Sequence, residues 1–423
     1  MALHFPHAIR DSIHGYVRLT AAELRAIDTR TMQRLRGIAQ LGLSERVYPG
    51  ARHSRFEHAL GTLEVVTRMF EELRGRLGIE ALLRPLGVSP TLGEYEQLVA
   101  VARFLALVHD VGHAPFSHVT EDLLPGDRNH EDLTRLLVEH GELGVVARSH
   151  GANFAENLRA VLAPVSAPLP PPLEFVRALV SGAIGADRMD YLLRDSAATG
   201  VSYGIFDLDR VLHTTTIAPK STGGVELGIH KGGVMAVEGM LWARTSMFQQ
   251  VYLHRTRRIL DHHLGDFLRA VLPDGRYPID LDAYLGWSDA RIHELLRIAC
   301  DEPGAPGHVD ARRIVRRAQH RALAHEIESE HVNSLTIWLA EWRADIAARA
   351  PAAAPISDLV LAPDRASDAA LPVVQADGSV VPLMQLSTLV GRLRQLPLGR
   401  MYVAPGAGEF PWSGARARGD VAT

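Results

Sequence analysis

Between Phe104 and His118 the chain reads FLALVHDVGHAPFSH, an apolar run that ends in His109, Asp110, His113 and His118. Imidazoles and carboxylates bind metals and move protons, and burying them is costly unless each finds a partner. His113 follows His109 by one helical turn, and His118 lies just past Pro115. Two more such groups, His58 and Asp187, stand where helices are expected to begin. His58, His109, Asp110 and Asp187 together form a mixed nitrogen–oxygen set suited to a borderline-to-hard divalent metal. Adjacent residues diverge on an ordinary helix, so a metal could collect both His109 and Asp110 only at a helix terminus, with other helices supplying the rest. Taken alone, a His-Asp pair is more often an ion pair or a cap.

The elements that must position these groups are mostly helical. Ile13–Leu19 reads as a short extended turn. Thr20 with Glu23 and Ser54 with Glu57 are capping-box patterns. Met32, Leu35, Ile38 and Ala39 recur at helical spacing, and Tyr48-Pro49-Gly50 signals a turn. Behind Ser54, the residues Phe56, Leu60, Leu63, Val66, Phe70 and Leu73 predict a helix of about five turns, with His58 in its first turn. A loop over 85–93 leads to a helix over 95–112, apolar almost all round and hence central. Asn129 can cap a helix that starts with His130 and Glu131. The proline-rich stretch 163–172 is a loop, helix resumes over 173–181, and Asp187 opens a segment that ends at Gly200. Thr214–Ala218 and Val225–His230 form a β-hairpin. A long helical pattern runs from Val237 to about Leu272. Helices follow at about 289–299, 310–325 and 330–348, then an Ala/Pro linker, short strands at 380–383 and 400–403, and a helix near 386–395. There are no internal repeats, and the fold class is mainly α with a small β component.

Length and composition narrow the options. The 423 residues suggest about two to three domains. Hydrophobic content of 47%, charged content of 22% and a formal charge of -4 fit a globular protein without a strongly basic nucleic-acid surface, though Arg255-Thr256-Arg257-Arg258 is a local basic run. The single cysteine, Cys300, excludes an internal disulfide and favours a cytoplasmic setting. The N-terminus lacks the apolar core of a signal peptide. The longest apolar run, Leu98–Val108, is interrupted by Arg103 and is too short to span a bilayer.

Several stretches go further when taken together: Asp28-Thr29, Gln33-Arg34-Leu35-Arg36, Gln40-Leu41-Gly42, residues 49–53, Arg55-Phe56-Glu57-His58, residues 109–118, His130-Glu131 and residues 187–195. In this order the chain resembles the HD-domain metal-dependent phosphohydrolase superfamily, and within it the deoxynucleoside triphosphate triphosphohydrolases. The resemblance spans roughly residues 9–270; the final third carries little that matches. It implies a helical HD core over 53–200, preceded by an N-terminal segment (1–52) with an activator site. A helical extension over 201–346 would complete the active site and provide oligomer contacts, and 356–423 would be a mixed α/β appendage. It makes His58, His109, Asp110 and Asp187 ligands of a divalent ion, with Mn, Fe, Mg, Ni and Zn all compatible. His118, Glu121, His130 and His113 are the implied catalytic groups, Glu121 orienting His118 from the same helical face; a packed core histidine is an equal reading of His113. Gln40 and Leu41 would read the deoxyribose, Arg55 and Arg188 would hold phosphates, and Tyr191 and Asp195 would lie beside the sugar. Arg188 stands where a vertebrate member has lysine. Asp28, Gln33, Arg36 and Arg210 match positions of a guanine-nucleotide or dNTP activator site, but His7 stands near that member's activator-site lysine, and a surface ion pair is an equal reading. The run from Arg244 to His263 either lines the triphosphate pocket or is a solvated basic face.

The expected reaction is hydrolysis of a dNTP to deoxynucleoside and inorganic triphosphate by a homo-oligomer (dimer, tetramer or hexamer) that binds neither membrane nor, as its main partner, nucleic acid. One competing reading is an HD phosphohydrolase acting on a nucleoside monophosphate, cyclic nucleotide or alarmone. Another is a non-enzymatic nucleotide-sensing or nucleic-acid-binding scaffold, which predicts broken metal or acid/base positions; here all are filled.

Overall fold

The computed structural model describes residues 3–220, 223–322, 326–329, 331–361, 366–393 and 396–407; the side chains of His118, Asp127, Arg321 and Ala322 lie outside the description. The chain is mainly helical. It opens with a hairpin, β1 (His7–Asp11) and β2 (Gly15–Leu19), then α1 (Ala21–Ile27) and α2 (Arg30–Arg34). The long α3 (Arg55–Leu83) and α4 (Leu92–Val108) follow, then α5 (His130–His140), α6 (Glu142–Ser149), α7 (Ala152–Val161), α8 (Pro171–Ser181), α9 (Ala186–Thr199) and α10 (Leu208–Thr214). A second hairpin, β3 (Thr215–Pro219) and β4 (Val225–His230), leads to α11 (Val234–Met247) and α12 (Arg255–Val271). The remainder holds α13 (Leu281–Leu285), α14 (Asp289–Asp301), α15 (His308–Val315), β5 (Arg321–Ala322), β6 (Ile327–Glu328), α16 (Val332–Arg349), β7 (Ile356–Val360), α17 (Ala366–Ala369), β8 (Pro372–Val374), β9 (Val380–Pro382), α18 (Leu383–Leu386) and β10 (Leu398–Val403).

Two compact units emerge. The first comprises Met1–Tyr252, Leu272–Glu294 and Arg365–Leu393. Its core is built where α3 packs against α4 and α9, with Leu63, Val66, Phe70, Phe104, Leu107, Met189 and Leu192 buried together. Its sheet runs β3-β4-β8-β9, in which β8 pairs parallel to β4. The second unit comprises Leu253–Val271, Leu295–Asp364 and Arg394–Thr423; there β10 pairs antiparallel with β5, β6 and β7, and α16 buries Leu339, Trp342 and Ile346. Among the described residues no helix is long and apolar enough to cross a membrane.

Local signals set the helix starts. The capping boxes at Thr20, Ser54 and Asn129 form, which puts His58 in the first turn of α3 and His130 at the first position of α5. Four expectations are corrected. The central helix begins at Leu92 and stops at Val108, so Asp110–Gly112 are turn rather than helix. The long pattern from Val237 breaks at a π-turn over Phe248–Tyr252. The helix expected over 310–325 ends at Val315, and that expected over 386–395 is the short α18 and a 3-10 turn at Val390–Arg392.

Two close approaches require glycine. A Cβ on Gly61 of α3 would lie 1.8 Å from Asp190 Oδ1 and 2.3 Å from Arg194 Nη2 of α9. One on Gly112 would lie 2.1 Å from the His130 carbonyl. Gly61→Ala should therefore destabilise the fold by about 3 kcal/mol, through overpacking and a displaced buried ion pair. Chemical denaturation checks this; a change within about 0.5 kcal/mol would mean the helices can move apart freely.

Candidate metal and catalytic centre

The site forms where three helix ends meet. His58 comes from the first turn of α3, His109 caps the C-terminus of α4, Asp110 follows it, and Asp187 lies in the first turn of α9. His58 Nε2 is 3.0 Å from Asp187 Oδ1 and 3.7 Å from Asp110 Oδ2. His109 Nε2 is 3.5 Å from Asp110 Oδ1 and 3.8 Å from Asp187 Oδ1. Donor atoms of His58, His109 and Asp187 all lie within 4.8 Å of one another.

The imidazoles are oriented from behind. His109 Nδ1 donates to the Ala106 carbonyl at 2.8 Å, which turns Nε2 into the cluster, where it is buried without a hydrogen-bond partner. His58 Nδ1 meets Asp190 Oδ2 at 2.7 Å. A carboxylate or carbonyl on the far nitrogen is how proteins fix the tautomer of a metal-binding histidine. The orphaned Nε2 of His109, the His58 Nε2 beside it and the two carboxylates fit a divalent cation.

Charge in the cluster is strongly coupled. Burial would lower the pKa of His58, but Asp187 and Asp190 outweigh it and raise the value to about 10. Burial likewise opposes charging of His109, and Asp110 and Asp187 raise its pKa. Burial would push Asp110 up, yet Arg55 and the neighbouring imidazoles hold it well below the carboxylate range. Asp187 is also lowered, by His109 and His58 against its burial.

A second group adjoins the first through Asp110. His113 Nδ1 is 3.3 Å from Asp110 Oδ1, and the His113 ring packs against His130 at a tilt of 31°, with centroids 3.9 Å apart. His130 Nδ1 meets Glu121 Oε1 at 2.5 Å. Glu121, expected as the partner of His118, is thus bound to His130; the His118 side chain lies outside the described residues. Arg55 is buried, with Nε on Ser117 Oγ at 2.9 Å and Nη1 on Asp110.

The other expected binding residues are distributed around this centre. Gln40 Oε1 is buried without a partner, and Leu41 is buried beside it in sequence. Tyr191 packs edge-on to His58, with centroids 6.5 Å apart, and burial pushes its hydroxyl up to about 12, which keeps it a donor at neutral pH. Asp195 accepts from Tyr252 Oη at 2.7 Å and meets His53 Nε2 at 2.7 Å. Arg188 donates to Asp368. The activator positions are not gathered into one cluster. Arg36 Nε donates to Gln33 Oε1 at 2.9 Å, and Gln33 Nε2 to the Ile27 carbonyl. Asp28 lines a groove of 440 Å³ with Arg25, Thr29, Glu142, Val145 and Val146, while Arg210 of α10 donates to the Gly232 carbonyl.

Sequence reasoning missed the residues that support the centre. Asp190 and Arg194 lie three and seven residues after Asp187, on one face of α9, a spacing that could have flagged them. Tyr252, on the π-turn, and Asp289 gave no local signal. Asp289 Oδ1 accepts from Phe116 N and Oδ2 from Ala39 N, at 2.9 and 2.8 Å, and so ties the Gln40–Leu41 segment to the turn before His118.

An HD domain model matches residues 55–195, and an HD associated region model matches residues 206–401. Uncharacterized protein MJ1154 of Methanocaldococcus jannaschii is 35% identical over 69% of this chain and 55% of its own length. Deoxynucleoside triphosphate triphosphohydrolase SAMHD1 of Homo sapiens is 29% identical over 74% of this chain and 54% of its own. The chain thus spans about half the length of the curated relatives it matches. The crystal structure of a hypothetical protein from Aquifex aeolicus has a TM-score of 0.76 and 29% identity, covering 94% of this chain and 96% of that one.

Asp190→Asn keeps the shape but removes the charge behind His58. It should weaken divalent-metal affinity by about 10–100-fold in protein that circular dichroism shows to be folded. Calorimetric titration with Mn²⁺ reads this, and an unchanged affinity would reduce Asp190 to a packing role.

Proposed function

This chain belongs to the HD-domain superfamily of metal-dependent phosphohydrolases, and from that membership we propose that it hydrolyses deoxynucleoside triphosphates to deoxynucleoside and inorganic triphosphate. One observation carries the reading: His58, His109, Asp110 and Asp187 converge around the buried, unpartnered Nε2 of His109, with a buried arginine and a Glu–His pair alongside. The human triphosphohydrolase supports the substrate class.

His58, His109, Asp110 and Asp187 would hold the divalent ion, which neutralises phosphate charge and polarises a nucleophile when bound. The chain's own groups do the rest. Arg55, held by Ser117 and Asp110, keeps a guanidinium at the centre for a phosphate oxygen. Glu121 fixes the His130 tautomer, and the His113 ring packed against it restrains that ring. His118 is the proton donor to the leaving oxygen. Tyr191 and Asp195 flank the sugar, with Asp195 oriented by His53 and Tyr252. Gln40 and Leu41 close the sugar pocket, where a tight wall excludes a 2′-hydroxyl. Guanine-nucleotide or dNTP activation and homo-oligomer assembly belong to the same reading, carried by resemblance to the family alone.

Incubation with each dNTP, singly and in mixtures, should release tripolyphosphate together with the deoxynucleoside; orthophosphate alone would sink the proposal. His118→Ala should lower turnover by about 10²–10⁴ with metal content intact. Loss of metal in that variant would move His118 into the coordination shell.

A further inference from the structure

Two arginines beside the centre share a carboxylate from far along the chain. Arg188 Nη1 donates to Asp368 Oδ1 at 2.7 Å, and Arg244 Nη1 donates to Asp368 Oδ2 at 2.5 Å. Arg188 directly follows Asp187, and both guanidiniums lie near enough to Tyr191 to act on its hydroxyl. All five residues belong to the first unit.

Asp368 is 2% exposed and sits on α17, three residues before Leu371. Leu371, Val373 and Leu383 are buried in the main core, and β8 is paired to β4. The carboxylate is therefore presented by an anchored segment. It takes one N–H from each guanidinium; Arg188 Nη1 also donates to the Ala183 carbonyl at 3.3 Å, which leaves Nε and Nη2 of both arginines outside the bridge. Arg244 is 6% exposed, and its Nε is buried without a partner. The Arg188 side chain keeps 18% of its surface.

Two adjacent guanidiniums repel unless an anion lies between them, and each has many rotamers. One bridging carboxylate removes both problems and leaves the trio with a net positive charge. A carboxylate that was only a plug would have to leave when phosphate arrived, and so would be stranded, buried and unpaired. Its burial and the engagement of both oxygens argue for a permanent bridge.

We propose that Asp368 is a positioning residue for phosphate recognition, bridging Arg188 and Arg244 so that their remaining N–H groups form a two-guanidinium cradle for an oligophosphate anion. This rests on the reading of the centre as a triphosphate site.

The test is calorimetric titration of the full chain with inorganic tripolyphosphate, which does not require turnover. Asp368→Asn should weaken binding by about tenfold or more, since it removes two charge-assisted hydrogen bonds that set the cradle. Mn²⁺ affinity should be unchanged. Asp368→Glu, which keeps the charge but shifts the carboxylate, should give an intermediate loss and serves if the Asn variant does not fold. In an Arg244→Ala background, Asp368→Asn should add much less than it does alone. Equal affinity in wild type and variants, or a wild type that does not bind tripolyphosphate, overturns the proposal. Tighter binding by Asp368→Asn also overturns it and makes the carboxylate a plug. If no dNTP is turned over while Asp368→Asn still weakens tripolyphosphate binding, the triphosphohydrolase reading fails and the cradle stands.

Discussion

Asp190 has no exposed surface, and the centre is built on how its charge is met. Arg194 donates to both of its oxygens, at 2.8 and 2.9 Å, and spends a third nitrogen on Asp11. His14 reaches Oδ1 at 2.8 Å and His58 reaches Oδ2 at 2.7 Å. An uncompensated buried charge costs about 3–5 kcal/mol, so none of these partners is free to leave. The network therefore locks α9 to α3 and to the turn between β1 and β2. Gly61 is the condition for it, because any side chain there would occupy the space of the Asp190 carboxylate. Since Asp190 holds Nδ1 of His58, only Nε2 can face the cluster. The direction in which the site points is set by an ion pair in the core.

The turn after α4 shows the same economy in its backbone. Every buried N–H and C=O outside regular structure needs a partner. Thr134 Oγ1 accepts from Gly112 N and donates to the His109 carbonyl, at 3.0 and 3.1 Å. Tyr284 Oη donates to the Gly112 carbonyl at 2.8 Å, and Arg34 Nη1 to the His113 carbonyl at 2.9 Å. Phe116 and Ser117 both have φ of 61°, a conformation that costs roughly 1–3 kcal/mol per residue and persists only where its surroundings enforce it. Asp289 supplies part of that enforcement by accepting from Phe116 N. Burial outweighs both of its N–H donors and pushes its carboxyl up to about 6.

What the sequence revealed was local or strongly patterned. Capping boxes act over three residues, so the starts of α1, α3 and α5, and with them His58 and His130, could be placed from Thr20, Ser54 and Asn129. The hairpin of β3 and β4 has a turn of its own and could also be read. The end of α4 could not: Val111 continues the apolar pattern, and the partners that pull the chain out of helix at Asp110–Gly112 are Thr134 and Tyr284, both distant in sequence. The π-turn at Phe248–Tyr252 escaped because apolar residues, Phe248, Val251 and Tyr252, run straight through it without a Gly or Pro, yet it is what delivers Tyr252 to Asp195. Asp368 escaped because it lies 180 residues from Arg188 in a segment without a motif.

The charges of the centre explain why it should take a cation at all. Four carboxylates, Asp11, Asp110, Asp190 and the half-buried Asp187, meet two guanidiniums, Arg55 and Arg194, in one network. Two negative charges are left over. Burial disfavours such an excess, and the same carboxylates raise the pKa values of His58 and His109 against their burial. A divalent cation carries two positive charges and would occupy the lone pairs at Nε2. Protons and metal then compete for the same Nε2 lone pairs. An anionic substrate would meet a balanced cluster in either case, and its attraction must come from elsewhere. The bridged pair of Arg188 and Arg244, still net positive around Asp368, is the part of the site that can supply it.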